Sequence, residues 1–310
     1  MSSSKPEKTS AGSRPQPPTG TATHLPGGFR PVPRAELPKP EDRLVLGTSG
    51  LTVSPFCIGI STPETILAAH EMGVNFFFVS ADLHWPLYEG IREGLRQLFS
   101  KKGVRDECVV AVVSYLEMPL FGALQFHEVL DVVPGMERAD VLVAGALPNE
   151  HALYGRYNSI APARANGHNG ATAIGASFHD RKAALVSANA NLLDVQFIRY
   201  NTAHPGATTE IFPYLRPDRI GLNYNFKSTM SRATPEQMDA LGLTDQHWRP
   251  EVPDYYRYAL TPPAMDGVLC SPQTPKELEE LVEAMGKGPL SQKEEAYMRW
   301  LSTSVNPTFF

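Results

Sequence analysis

The sequence predicts an α/β protein in which eight strand–helix units close into a (β/α)8 TIM barrel. The first observation is eight short apolar runs, each bounded by turn residues and followed by a segment able to form a helix. The second is length, because eight such units in roughly 265 residues match a closed barrel. The third is the lack of a G-x-G-x-x-G or Walker sequence, which an open doubly wound sheet would usually carry in its first turn.

The strands are predicted from these runs. Residues 109–113 are apolar at both parities, as in a parallel strand covered on two faces. The alternation of strand and helix predicts parallel pairing throughout. In chain order, the predicted strands are residues 55–60, 75–80, 108–114, 140–144, 171–177, 193–200, 219–224 and 267–270.

Helices are predicted between the strands, and several end at a glycine that acts as a C-terminal stop. Residues 154–170 are rich in Gly, Asn and Pro, so the helix between the fourth and fifth strands is predicted to be short or irregular. The clearest helices are residues 64–72 before Gly73, residues 87–99 before Gly103 and residues 274–285 before Gly286.

Residues 1–42 precede the first strand and contain Ser, Thr, Gly, Pro and charged residues without a periodic apolar pattern. Such a stretch buries too little apolar surface to offset its ordering entropy. We therefore predict a disordered tail followed by one barrel domain, residues 43–310. The tail is expected to be a solvated extension, with partner binding as the alternative.

The composition restricts the class of partner. With 42% hydrophobic and 20% charged residues and a net charge of −5, the chain offers no basic surface for nucleic acid. Three distant cysteines form neither a disulfide framework nor a Cys-x-x-Cys pair, so a cytoplasmic location is expected. No apolar run is long enough to span a membrane. A small-molecule substrate, with neither nucleic acid nor membrane as partner, is the expectation.

Several segments together resemble the aldo-keto reductases in order and spacing, over about residues 44–303. The matching segments are residues 46–54, 73–77, 174–177, 199–206, 256–260 and 268–278. The resemblance implies a barrel whose chemistry lies at the C-terminal ends of the strands, where the family uses an Asp, a Tyr, a Lys and a His with NADPH.

The four places that this resemblance assigns to the hydride-transfer residues hold other residues here. They are Phe78 for Asp, Leu83 for Tyr, Val113 or Ser114 for Lys and Gly145 for His. Carbonyl reduction needs a proton donor with a lowered pKa and a group that polarises the carbonyl oxygen, which Phe, Leu, Val and Gly do not supply. A shift of one residue would bring in Ser114 or His84 but no Lys or Asp.

For the cofactor, the resemblance implies that Ser177 and Gln196 bind the nicotinamide amide and that Tyr224 stacks on its ring. Ser271 is a fourth cofactor-binding candidate. Glu277 stands near the place where the family holds the adenosine phosphate, and an acid repels a 2′-phosphate. The cofactor is therefore left unassigned, with NAD(P)H as an alternative.

A polar and aromatic cluster follows the second predicted strand, at the end where barrels carry out chemistry. Asp82 would orient the imidazole of His84, and Tyr88 would donate a proton beside them. Trp85 is a substrate-binding candidate in the same cluster. In the alternative interpretation, Asp82 caps a helix that begins near Pro86, and His84 packs beside Trp85.

Polar residues also follow the later strands. Asn223, Asn225, Lys227 and His179 are the further substrate-binding candidates, and Lys227 would hold an anionic group. Arg199 is expected to form a salt bridge among barrel charges. Histidines after the fourth to sixth strands would either bind a metal with His84 and Asp82 or remain solvated loop residues, and no metal is assigned. These histidines are His151, His179 and His204.

We therefore predict an enzyme of aldo-keto-reductase-like fold that performs acid–base chemistry, such as dehydration, cyclisation or isomerisation, on a small molecule. One alternative is an atypical NAD(P)H-dependent carbonyl oxidoreductase. The others are a non-catalytic binding protein and a metal-dependent enzyme that uses the strand-end histidines.

Overall fold

A computed structural model describes residues 32–80, 82, 84–115, 133, 135, 139–164 and 170–306. Eight parallel strands form a closed barrel, which confirms the predicted (β/α)8 fold. The hairpin of β1 (Leu44–Val45) and β2 (Thr52–Val53) precedes the barrel. The barrel strands are β3 (Phe56–Ile58), β4 (Phe76–Ser80), β5 (Val109–Ser114), β6 (Ala139–Leu147), β7 (Ala171–Phe178), β8 (Val195–Arg199), β9 (Leu222–Phe226) and β10 (Gly267–Cys270).

Helices follow the strands and begin at side chains that cap their free amides. Thr62, Asn149, Asp180 and Thr274 each accept a hydrogen bond from a backbone N–H in the first turn. None of the helices in the described ranges is long and apolar enough to cross a membrane. The helices are α1 (Pro63–Glu71), α2 (Glu89–Phe99), α3 (Glu150–Ile160), α4 (Arg181–Asn189), α5 (Ala207–Glu210), α6 (Pro235–Ala240), α7 (Val252–Leu260), α8 (Pro275–Met285) and α9 (Gln292–Val305).

Two element boundaries differ from the prediction. The seventh barrel strand is Leu222–Phe226 instead of residues 219–224, because Arg219 ends the preceding loop and its guanidinium pairs with Asp266. The helix expected to be short or irregular runs for 11 residues as α3 and continues as a 3₁₀ turn over Ala161–Arg164.

The predicted tail ends earlier than residue 42. Leu37 is buried, and the guanidinium of Arg34 donates a hydrogen bond to the carbonyl oxygen of Met265, just before β10. Residues 34–42 therefore belong to the folded part of the chain, while residues 1–31 lie outside the described residues.

Ring contacts show which strand residues face the barrel interior. The rings of Phe76 on β4 and Tyr224 on β9 meet at 5.3 Å, although β3 and β10 lie between their strands. On opposite sides of the barrel, the rings of Phe78 and Phe197 meet at 5.0 Å. Residues at the same parity on each strand, including Arg199, therefore also face inward, and their neighbours face the helices.

Candidate active site at the barrel mouth

Asp82 lies just beyond the end of β4, where its buried carboxylate collects hydrogen bonds. Its Oδ1 accepts from Ser80 Oγ at 2.9 Å and from the backbone N–H of His84 at 3.1 Å. Its Oδ2 accepts from the backbone N–H of Tyr115, which follows β5. Burial alone would raise the pKa of Asp82, but the hydrogen bonds from Tyr115 and His84 outweigh it and lower the pKa. Asp82 is therefore an ionised carboxylate at neutral pH.

The imidazole of His84 is held by that carboxylate. Its Nδ1 lies 2.8 Å from Asp82 Oδ1, so an ionised Asp82 selects the tautomer with the proton on Nδ1. The His84 side chain is 52% exposed, and its ring centroid lies 4.6 Å from that of Tyr115. Since Nδ1 is engaged, Nε2 is the nitrogen that a ligand can reach.

Two tyrosines lie beside this pair, and the four residues Asp82, His84, Tyr88 and Tyr115 form a candidate acid–base group, called the acid–base group below. Tyr88 is buried, its ring 6.4 Å from that of Phe78, and it shares a hydrogen bond with the hydroxyl of Tyr115. Burial raises the pKa of both hydroxyls, and the shared bond raises that of Tyr88 and lowers that of Tyr115. Both hydroxyls are therefore protonated at neutral pH, and either can be the donor in this bond.

Tyr115 was not among the candidates chosen from the sequence. Its only sequence signal is its position directly after an apolar strand, where the mouth of a barrel begins. A cavity of about 380 Å³ lies beside Tyr115, between the end of β6 and the start of α3. Its lining includes Gly145, Leu147, Asn149, His151 and Arg156.

The cofactor candidates are not brought together. Ser177 faces the mouth, and its hydroxyl accepts a hydrogen bond of 2.7 Å from the backbone N–H of Ala146. Gln196, by contrast, faces the helices and donates to Asn223 Oδ1 at 2.8 Å. The ring of Tyr224 is fully buried, and its hydroxyl donates to the Ser54 carbonyl at 2.6 Å. Gln196 and Tyr224 are therefore not placed to bind a nicotinamide at the mouth.

Ser271 lines a separate cavity of about 470 Å³. Arg232 and Tyr256 lie in the same lining, together with the carboxylates of Glu277 and Glu280. Arg232 suits a phosphate, but the two carboxylates oppose one. The residues present thus do not fit the usual NADP site.

Of the substrate candidates, the two asparagines face away from the mouth. Asn223 Nδ2 donates to the Ala264 carbonyl at 3.0 Å, and Asn225 is held by the Tyr200 carbonyl and the Ser228 hydroxyl. Both side chains are buried and satisfied within the protein. In the part of the chain that the structure describes, their amide groups therefore bond to the protein and do not point to the mouth.

His179 and Lys227 do meet at the mouth. The ring of His179 packs edge-on against Phe226 at 5.9 Å, and Lys227 Nζ lies 5.9 Å from the centroid of the same ring. Trp85 begins a 3₁₀ turn that leads into α2, and only its backbone belongs to the described part of the chain. Within the described ranges, no three His, Cys, Asp or Glu side chains come close enough to hold a metal ion.

The places that the family resemblance assigned to hydride transfer can be located in part. Phe78 and Val113 are buried, and both face the barrel interior. Gly145 lies against the ring of Tyr115. Leu83 lies outside the described residues.

Comparison with known proteins supports the architecture. No protein-family model matches the sequence, and a search of curated proteins found no match. Among solved structures, an aldo-keto reductase enzyme from a Medee basin deep-sea metagenome library is similar, with a TM-score of 0.58 and 14% identity over 85% of this chain and 96% of that chain. An aldo/keto reductase from Brucella melitensis has a TM-score of 0.59 and 10% identity, over 84% of this chain and 99% of that chain. This chain therefore has the closed-barrel fold of the aldo-keto reductases.

Proposed function

We propose that this chain is a divergent member of the aldo-keto reductase superfamily that performs non-redox acid–base chemistry on a small molecule. The reaction class is dehydration, cyclisation or isomerisation. The observation that carries the proposal is the 2.8 Å contact between His84 Nδ1 and Asp82 Oδ1 at the end of β4. A buried carboxylate paired with a half-exposed imidazole is the arrangement of a general base and its orienting group.

His84 acts as the base through Nε2. The ionised Asp82 fixes the Nδ1–H tautomer and stabilises the imidazolium that forms when Nε2 takes a proton from the substrate. Asp82 itself stays ionised, because its hydrogen bonds hold its pKa below the ordinary value. The abstracted proton therefore resides on His84 Nε2.

Tyr115 acts as the acid. Its hydroxyl belongs to a phenol with a raised pKa, so it is protonated at neutral pH and donates toward a substrate oxygen. We assign the donor role in their shared hydrogen bond to Tyr88, which would stabilise the Tyr115 oxygen as it gains negative charge. The proton that Tyr115 gives up goes to the substrate oxygen, where charge develops or a hydroxyl leaves.

The residues around this group favour non-redox chemistry over hydride transfer. Phe78 and Gly145 stand at two of the places that the family resemblance assigns to proton-handling residues, and neither carries an exchangeable side-chain proton. Gln196 and Tyr224 are turned toward protein partners, so they do not supply the nicotinamide contacts that the resemblance implied. We derive no step through a dinucleotide.

The experiment is deuterium incorporation in D₂O, followed by NMR, for a panel of small hydroxy acids and keto acids without any nicotinamide. We expect at least one compound to exchange a carbon-bound proton or lose water with the wild type, and to stop doing so with His84→Ala and Asp82→Asn. His70→Ala is the matched control, because His70 lies in the last turn of α1, at the opposite end of the barrel. Turnover that needs NAD(P)H, or that His84→Ala leaves unchanged, contradicts the proposal.

The second candidate is an atypical NAD(P)H-dependent carbonyl oxidoreductase. Arg232 in the cavity beside Ser271 is the observation in its favour, since a guanidinium can meet a phosphate, although Glu277 and Glu280 in the same lining oppose one. Fluorescence titration with NADH and NADPH decides between the two functions. Saturable binding that Arg232→Gln weakens would support the oxidoreductase.

A further inference from the structure

A second group of basic side chains lies at the mouth, at the ends of β7, β8 and β9. We define the cationic cluster as Arg199, Lys227, His179 and His204. Arg199 pairs in register with Phe226, and both face the barrel interior. His179 and Lys227 both lie against the ring of Phe226. Burial lowers the pKa of both histidines, and the nearby charges of Arg199 and Lys227 lower it further.

One buried asparagine ties this cluster together. Asn201 Nδ2 donates to the Lys227 carbonyl at 3.0 Å. Asn201 Oδ1 accepts from the backbone N–H of His204 at 2.8 Å, and His204 Nδ1 lies 3.2 Å from the same oxygen. Lys227 adopts a left-handed backbone with φ of 60°, a strained conformation for lysine. The loops after β8 and β9 are therefore held in fixed positions at the mouth.

Arg199 and Lys227 carry the positive charge of this cluster. Several other guanidinium groups pair with carboxylates, as Arg219 does with Asp266 and Arg181 with Glu210. Within the described ranges, no carboxylate lies within salt-bridge distance of Arg199 or Lys227. Arg199 is partly buried at this mouth and Lys227 is exposed, so an anion bound beside them would offset the cost of burying the Arg199 charge.

We propose that the cationic cluster binds the carboxylate or phosphate group of an anionic small molecule, and that this molecule is the substrate of the acid–base group. The second half rests on the proposed function. Arg199 presents a planar fork that matches either oxyanion, and Lys227 adds a second positive charge. The sequence favoured a salt bridge for Arg199, and the structure offers it no such partner among the described residues.

The barrel places the acid–base group and the cationic cluster on opposite sides of its mouth, above the same two aromatic rings. Phe78 on β4 and Phe197 on β8 touch at 5.0 Å across the interior. Ser80 follows Phe78 by two residues on β4 and donates a hydrogen bond to Asp82. Arg199 follows Phe197 by two residues on β8. A molecule whose anionic end is bound by Arg199 therefore extends over the rings of Phe197 and Phe78 toward His84.

The test is calorimetric titration of the wild type and variants with inorganic phosphate and, separately, with malonate. We expect dissociation constants in the millimolar range and binding about tenfold weaker for Arg199→Gln and for Lys227→Gln. Tighter phosphate binding indicates a phosphorylated substrate, and tighter malonate binding indicates a carboxylate. Arg216→Gln is the control of equal charge, because Arg216 is exposed and precedes β9 at the far end of the barrel.

Three results would overturn the proposal: no binding of either probe by the wild type, unchanged binding by Arg199→Gln, or equal weakening by Arg216→Gln. His84→Ala separates this inference from the proposed function, because it removes the base and leaves the cationic cluster intact. If His84→Ala retains full turnover while Arg199→Gln still weakens phosphate binding, the acid–base role fails and the anion site stands.

Discussion

Gly145 leaves the space that the Tyr115 ring occupies, since a β-carbon at position 145 would lie 2.3 Å from Tyr115 Cδ1. This contact joins the end of β6 to the end of β5, and it fixes the ring beside His84. The glycine thus has a steric reason at the position to which the family resemblance assigns a histidine. It admits the phenol that we propose as the acid.

Gly145→Ala is expected to displace Tyr115 and, through its backbone N–H, to disturb the hydrogen bond to Asp82. Overpacking of this kind costs about 1 to 3 kcal/mol in the free energy of unfolding, and deuterium exchange should fall with it. Gly155→Ala is the control, because nothing lies within 4 Å of a β-carbon at that position of α3. It should stabilise the helix by about 0.5 to 1 kcal/mol and leave exchange unchanged. Full activity in Gly145→Ala would contradict the placement of Tyr115.

Tyr115→Phe removes the proposed acid and keeps the ring. We expect turnover to fall by about 100-fold or more, while the dissociation constant for inorganic phosphate stays the same. Tyr88→Phe removes only the hydrogen bond to Tyr115, so its effect should be smaller and should shift the basic limb of the pH–rate profile. Full activity in both variants would show that the two tyrosines contribute packing and no proton transfer.

The pKa of Asp82 gives a pH dependence with a definite sign. Its pKa in the folded protein is below the ordinary value of about 3.9, because hydrogen bonds to the carboxylate outweigh burial. The ionised group therefore stabilises the fold above about pH 4, and this stabilisation is lost as the pH falls through the folded-state pKa. Urea unfolding should show a higher free energy of unfolding for the wild type than for Asp82→Asn at neutral pH, and this difference should disappear in acid. A difference that grows on acidification would contradict the prediction.

The sequence predicted the eight barrel strands because apolar runs between turns are local signals, and the order of the runs determines the parallel topology. The Asp82–His84 pair was also predictable, since two residues so close in the chain meet whenever the loop turns. Tyr115 was not, because it comes to His84 from a different strand, and only the closed barrel brings them together.

Three of the predicted site residues bond protein groups for one physical reason. In β8 and β9, residues of both parities are buried, so the sequence does not show which parity faces the barrel interior. Gln196, Asn223 and Asn225 lie at the outward parity, where they bond protein partners and not a ligand. Arg199 lies at the inward parity, and its importance emerges only from the pairing with Phe226.

Lys227 allows the stability and the binding roles of one residue to be separated. Because its φ is 60°, Lys227→Gly should relieve backbone strain of about 1 to 2 kcal/mol, offset by about 0.5 to 1 kcal/mol from the more flexible unfolded chain. The variant should therefore be more stable than the wild type and yet bind inorganic phosphate about tenfold less tightly. Lys227→Gln keeps the strain and loses the charge, so it should weaken binding without this gain in stability. Denaturant unfolding and calorimetry measure the two effects. If Lys227→Gly retains phosphate binding, the charge at this position does not serve the anion site.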